Sequence, residues 1–353
     1  MKILLPTLYD TSGGSTRVLL AAAEALAPVH AVTVRAPLAE ADEPVPALFP
    51  SRPLTSLGRK LAVLPRLVRL LARETVALRR LRPDLIHVHD EPSLYVYGLA
   101  ARALRPRPFV LWHLHADAGA GRIARLRVAL ADACILISPH VTPPRGLPAT
   151  LIPNPLPALA PLPVPDGDPL GADPLAAMAV VGAVVPRKGQ DLAVAALALV
   201  RARHPTAHLT LVGPELDPAY AAALRARIAA LGLDDAVRFA GARPAATVFS
   251  GIALAVCPSR AEAQPLALAE ALARGLRIAA TDIPAHRAML EAIDADPATL
   301  AAPTPAALAS AILSAARTPP IPGLATRTRH IHDPNRFTAA LRASIDTLAR
   351  PPP

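Results

Sequence analysis

A chain of 353 residues exceeds what one core usually fills, so two domains are expected, and 52% hydrophobic with only 3% aromatic residues means cores built from Ala, Leu and Val. The formal charge of +10 invites an anionic partner, but scarce aromatics and the lack of a nucleic-acid module exclude nucleic acid from the reading. Cys134 and Cys257 both lie in apolar runs, which excludes a disulfide framework and suits a cytoplasmic protein, and neither a signal peptide nor a membrane span is expected.

Lys2 to Leu5 reads as a first strand, followed by a turn at Gly13-Gly14 and a helix capped by Ser15 or Thr16. The glycine pair lets backbone approach a ligand closely. A second strand, His30 to Arg35, leads through a polar loop into a basic region. From Arg52 to Arg82, nine basic residues meet one acid, Glu74, and leucines recur at helical spacing, with an interruption expected at Pro65. Such a face suits either a solvated helix packed on its domain or contact with an anionic membrane surface. The segments around LIHVHD, ending at His89 and Asp90, and FVLWHLH, ending at His113 and His115, read as the third and fourth strands, and Cys134 to Ser138 as the fifth. Strands alternating with helices describe a doubly wound parallel sheet, whose ligands lie beyond the carboxyl ends of the strands.

Prolines crowd residues 139–174, the expected linker, and a second series follows. Its strands are Met178 to Val181, His208 to Val212, Val237 to Ala240, Ile252 to Val256 and Ile278 to Thr281. Helices are expected near 189–203, 217–231, 243–249, 265–274 and 304–316, with a last one from Asn335 to Leu348 crossing back to the first half. The stretch PSRAEAQPLALAEALARGLRIAAT, Pro258 to Thr281, is the most informative. Pro265 suits the first turn of a helix, whose N–H groups at Leu266 and Ala267 would favour a phosphate. Glu262 and Glu270, eight residues apart, are spaced to hold a ligand's hydroxyls, although the spacing equally suits a core helix with two solvated glutamates. Asp294 and Asp296 form a DxD only by letters, and no group of residues has metal spacing along the chain.

Taken in order, the GG loop, HVHD, the strand ending in His115, IPNP (Ile152 to Pro155), VGAVVPRKGQD (Val181 to Asp191), LVGP, VRFAG and E-x7-E resemble the retaining, nucleotide-sugar-dependent glycosyltransferases of family 4 (glycosyl transferases group 1) over nearly the whole chain. The resemblance implies a GT-B architecture, two Rossmann-like domains facing across a cleft. The first would be an acceptor-side domain over 1–155, with the helix 335–353 packing back on it, and the second a donor-binding domain over 156–334. The implied reaction is metal-independent transfer, without a cofactor, from a UDP- or GDP-sugar to a hydroxyl acceptor (a glycan, a lipid-linked acceptor or a small molecule). The implied place is the cytoplasm; separately, the basic face from Arg52 to Arg82 offers peripheral docking on an anionic membrane. By the same resemblance Lys188, with Arg187, holds the donor diphosphate; Glu262 lies near the transferred sugar; Glu270 binds the ribose; and the backbone of Gln264, Pro265 and Leu266 helps hold phosphates and sugar. His115 faces the reacting sugar, Gly13 and Gly14 lie near phosphates or acceptor, and Arg17, His89, Asp90 and His113 are acceptor-side candidates. His113 shares a strand face with His115 and is the alternative to it. Two departures stand out: Ala183 replaces a common arginine, and Gln264-Pro265-Leu266 replaces the usual sequence after the first glutamate. They keep open a non-catalytic nucleotide-binding member; a second alternative, a UDP-sugar 2-epimerase on the same architecture, would need further acid/base carboxylates that these landmarks do not supply.

Overall fold

A computed structural model describes residues 1–9, 14–38, 41–45, 57–116, 121–157 and 173–348, with backbone alone for 57–66 and 298. The chain divides into two units. One comprises Met1–Pro155 together with Pro334–Pro353, and the other Leu156–Asp333.

Unit 1 runs β1 (Lys2–Pro6), α1 (Gly14–Leu26), β2 (Ala31–Ala36), β3 (Glu43–Pro44), α2 (Leu57–Leu81), β4 (Leu85–Val88), α3 (Glu91–Arg102), β5 (Phe109–Leu114), α4 (Gly121–Leu130), β6 (Ala133–Leu136) and β7 (Ala149–Leu151). Its strands form a parallel sheet in the order β3-β2-β1-β4-β5-β6-β7. The central strands are buried on both faces, which is why their sequences are largely apolar runs and not alternations, broken in β4 and β5 by the buried His87 and His113. α2 continues through Pro65, where a break was expected; a proline removes one backbone bond, and the flanking turns carry the helix past it. Leu70, Ala77 and Leu78 face inward on α2, as does Glu74.

Unit 2 runs β8 (Met178–Val181), α5 (Gln190–Arg201), β9 (Leu209–Val212), α6 (Pro218–Ala230), β10 (Val237–Gly241), β11 (Leu254–Cys257), α7 (Leu266–Ala273), β12 (Arg277–Ala280), α8 (Pro284–Ala292), α9 (Pro305–Arg317) and α10 (Leu324–Ile331). The strand order is β10-β9-β8-β11-β12, again all parallel. The helix expected near 243–249 is absent. Residues 245–250 form turns that bury Val248 and Phe249, since a segment this short does not offset the cost of helix nucleation. Strands β3 and β7 and helices α8 and α10 were not anticipated. The final helix, α11 (Pro334–Leu348), belongs to unit 1, where Phe337, Leu341 and Ile345 join the core formed by Val18, Leu19, Leu26 and Leu111. Among the described residues no helix is long and apolar enough to cross a membrane.

Candidate functional site

In unit 2 the strand order reverses between β8 and β11, and the chain leaving each strand is held against the other by bare backbone. After β8, Gly182 adopts a φ of 149°, and a Cβ there would stand 3.2 Å from Lys188 Cε, so the glycine makes room for the lysine stem. A tight turn, Pro186–Lys188, ends at Gly189 with φ 69°. A Cβ on Gly189 would lie 2.0 Å from the Pro258 carbonyl oxygen, so only glycine fits between the turn and the loop after β11. The contact is reinforced from both sides. Arg260 N–H donates to the Arg187 carbonyl at 2.8 Å. Its guanidinium forks onto Asp191 at 2.8 and 2.7 Å, and the Tyr220 hydroxyl donates to the same carboxylate at 2.7 Å.

Within this frame Glu262 accepts from Lys188, Ser259 and Arg187. Lys188 Nζ and Ser259 Oγ donate to Oε1 at 2.6 and 2.7 Å, and Arg187 Nη1 to Oε2 at 2.8 Å. The Glu262 side chain is 6% exposed, against 18% for Lys188 and 53% for Arg187, so the carboxylate sits beneath two cations that reach outward. Burial alone would push the Glu262 carboxyl up, but Lys188 and Arg187 hold it below the usual range, and it stays ionised. A cavity of about 10 Å³ lies beside it, lined by Lys188, Ser259, Glu262, Pro265, Ala267 and His286 among others. That is room for about one water. His286 is buried, and its Nδ1 lies 2.7 Å from the Thr281 carbonyl; a carbonyl only accepts, so Nδ1 carries the hydrogen and Nε2 is the basic nitrogen.

Sequence reasoning placed Lys188, Arg187 and Glu262 in this site, and the structure brings them together. It did not find Ser259, Asp191, Arg260 or His286. Ser259, three residues before Glu262 in a strand-to-helix loop, was the most legible of these. Pro265 occupies the cap position, and α7 starts at Leu266. The expectation of two ligand-facing N–H groups is corrected at Leu266, whose N–H donates to the Gln264 carbonyl at 3.0 Å, closing the loop on itself. Glu270 is buried on α7 and does not line the Glu262 cavity. Ala183 contributes its carbonyl, which accepts from Gln190 Nε2 at 2.9 Å.

Unit 1 places its candidates at the carboxyl ends of β1, β4 and β5. Gly14 opens α1 and Arg17 is exposed on its first turn, while Gly13 lies outside the described residues. Asp90 caps α3, accepting from Ser93 N at 2.7 Å and Ser93 Oγ at 2.8 Å. Its buried carboxyl is therefore engaged in holding the helix. Four histidines stack beside it. His113 Nδ1 lies 3.3 Å from His87 Nε2, and His89 Nδ1 lies 3.2 Å from His115 Nε2. His87, His89 and His113 are buried, and His115 is half-buried. Burial pushes all four rings down, His87 to about 3 and His115 to about 4, so they are neutral imidazoles near neutral pH. The acceptor-side expectation for His89 and His113 meets this burial: of the four rings, His115 alone has appreciable exposed surface.

Two family models match the chain. Glycosyltransferase Family 4 matches residues 12–142, and Glycosyl transferases group 1 matches residues 176–318. The chain belongs to the group 1 glycosyltransferases. Its fold is that of GT-B members of this family. Anabaena HepE, solved with UDP-glucose, aligns with a TM-score of 0.75 at 20% identity, covering 98% of this chain and 100% of HepE. Sucrose-phosphate synthase from Thermosynechococcus elongatus aligns with a TM-score of 0.65 at 20% identity, covering 99% and 96%. A glycosyltransferase from Rickettsia africae aligns with a TM-score of 0.65 at 14% identity, covering 98% and 97%. At these identities the likeness is one of fold. No curated protein matches the sequence of this group 1 glycosyltransferase.

Proposed function

We propose that this glycosyltransferase moves a sugar from a UDP- or GDP-sugar to a hydroxyl acceptor with retention of anomeric configuration and without a metal at the leaving group. The observation that carries the reading is the pair Lys188 and Arg187, drawn together over buried Glu262 at the carboxyl ends of β8 and β11. A departing nucleoside diphosphate gains negative charge, and two outward-reaching cations in a fixed frame stabilise that charge without reorganising. Glu262 then lies beside the transferred sugar and accepts from its hydroxyls, and Glu270 serves the ribose. With retention, the acceptor hydroxyl attacks the anomeric carbon from the face the diphosphate leaves. The C–O bond to phosphate breaks, and the leaving phosphate oxygen takes the acceptor proton. No side chain need form a covalent intermediate. Unit 1 is assigned the acceptor, with His115 and Arg17 as its accessible candidates.

Support for the donor class also comes from HepE, whose structure holds UDP-glucose on the same fold. A thermal-shift panel of UDP, GDP, ADP and their sugars tests it, since a ligand that binds only the folded state raises the melting temperature. One nucleotide family should stabilise the chain, and its sugar donor should be consumed equally fast with or without added Mg²⁺ or Mn²⁺. Absence of a shift with every nucleotide would sink the reading; turnover of UDP-N-acetylglucosamine without an acceptor, giving its epimer, would replace it.

The reading extends to a cytoplasmic enzyme docked on the inner membrane face. Val68, Arg69, Arg73, Val76, Arg79 and Arg80 point outward on α2, a mixed basic and apolar stripe suited to anionic headgroups. Flotation with acidic liposomes should carry the protein up, and neutral liposomes should not; equal, low flotation with both contradicts the docking.

A further inference from the structure

The reaction proposed above uses at most one of the four stacked histidines, yet the fold gathers all of them. His87 and His89 are two residues apart along β4 and its exit, as are His113 and His115 along β5, so each pair projects from one face of the sheet. The parallel register sets His87 beside Leu111 and Val88 beside Trp112, which brings the His89 and His113 pair side by side. Their ring centroids lie 4.6 Å apart, and those of His87 and His113 lie 5.4 Å apart. One ring nitrogen from each of His87, His89 and His113 falls within 4.8 Å of the others.

Three features separate this cluster from an ordinary set of core histidines. All three rings are at least nine-tenths buried. Among the described residues, His87 Nδ1 and His89 Nε2 have no hydrogen-bond partner, although buried ring nitrogens normally have one. The donor set is nitrogen only, which matches the ions that imidazole prefers, namely zinc, copper, nickel and iron. With metal–nitrogen bonds near 2.0–2.1 Å, ligand atoms around a tetrahedral ion are about 3.3 Å apart. In the structure the ligand nitrogens of His87, His89 and His113 lie within 4.8 Å of one another, and an ion bound among them would draw them in to that spacing.

We propose that the histidine stack of unit 1 is a binding site for one late first-row divalent transition ion, with zinc as the reference, held by His87, His89 and His113. His115, half-buried at the rim, is where the ion enters and is available as a fourth ligand. The ion ties the carboxyl ends of β4 and β5 together. It is separate from the leaving-group chemistry, which rests on the cations of unit 2, and the proposal does not depend on the donor assignment.

The test uses the untagged full chain, stripped with a strong chelator and titrated with Co²⁺. The expected result is the intense visible absorption of tetrahedral cobalt, saturating at one ion per chain and bleached by Zn²⁺. His87→Gln and His113→Gln, confirmed as folded by circular dichroism, should lose the signal, and the exposed-surface control His208→Gln should keep it. No band at one equivalent overturns the proposal, as does a band that survives in the folded His87→Gln and His113→Gln variants. If those variants do not fold, X-ray absorption of the zinc-loaded wild-type chain decides. Scattering from three or four imidazoles supports the site, and a shell of oxygen ligands refutes it.

Discussion

Glu262 neutralises the cations that the proposed donor needs, and this sets up a competition at the residue scale. The carboxylate holds Lys188 Nζ at 2.6 Å and Arg187 Nη1 at 2.8 Å, so a diphosphate arriving at the same cations must share them. Replacing the charge while keeping the shape separates binding of the leaving group from transfer of the sugar. Glu262→Gln should tighten binding of the bare nucleoside diphosphate several-fold in calorimetry, because the cations are no longer paired to a fixed anion, and should reduce transfer because the sugar loses its charged acceptor. Weaker nucleotide binding in this variant would contradict the competition. Lys188→Ala should weaken the same nucleotide by about 10- to 100-fold, the worth of one charge-assisted hydrogen bond. Glu262 keeps Arg187 and Ser259 as partners in that variant, so the melting temperature without nucleotide should move far less than the affinity. How much of this was legible in the sequence follows from the chemistry. Lys188 and Glu262 stand in motifs whose spacing reflects a site. Arg260 and His286 are brought in by loop closure and a helix end, and nothing in their immediate sequence marks that role.

Helix α2 combines an outward basic face with an inward acid. Glu74 is fully buried, accepting from Arg35 Nε at 2.6 Å, Tyr97 Oη at 2.8 Å and Arg73 Nε at 2.9 Å, while Arg35 is also paired to Glu43. Burial would push the Glu74 carboxyl up, but the hydrogen bonds from Arg35 and Tyr97 and the charge of Arg35 hold it below the usual range. A carboxyl depressed on folding contributes stability that is present above its unfolded value, near 4.3, and lost as the pH falls through its folded value. Glu74→Gln leaves Arg35 with less of its counter-charge and should cost about 3–5 kcal/mol at pH 7. The gap between wild type and variant should narrow as calorimetric melts are carried from pH 5 toward pH 3. A gap that stays constant across that range would place the stabilisation elsewhere. The sequence showed Glu74 as the lone acid in a basic run, but its partner was unreadable, because Arg35 arrives from a strand 39 residues earlier. Burial also explains why the central strands of both sheets were anticipated closely while β3, β7, α8 and α10 were not. Strands buried on both faces announce themselves as apolar runs, whereas short helices at the margin of a sheet carry mixed sequences and take their form from what they pack against.

At the scale of the whole molecule, unit 2 is inserted into unit 1. The chain leaves unit 1 at Pro155 and returns at Pro334, so the first core is completed only when the last helix has been made. α11 contributes Phe337, Leu341 and Ile345 to that core, each nearly or fully buried, and Arg342 Nε donates to the Ala25 carbonyl at 2.8 Å, fixing it to the end of α1. Burying three such side chains stabilises by roughly 1.5–3 kcal/mol each, a sum comparable to the net stability of an ordinary domain. A chain ending at Asp333 should therefore lose the folded state of unit 1 while unit 2, whose own cores contain no residue beyond 333, keeps its fold. Scanning calorimetry of the full chain and of residues 1–333 should show the transition of unit 1 missing from the shorter protein. The surviving transition should still shift upward with whichever nucleotide stabilises the full chain, since Lys188, Arg187 and Glu262 all lie within unit 2. Two transitions at unchanged temperatures in residues 1–333 would mean that α11 covers the first core without completing it. Loss of both transitions would mean that unit 2 depends on unit 1 for its fold, contrary to the separation of their cores.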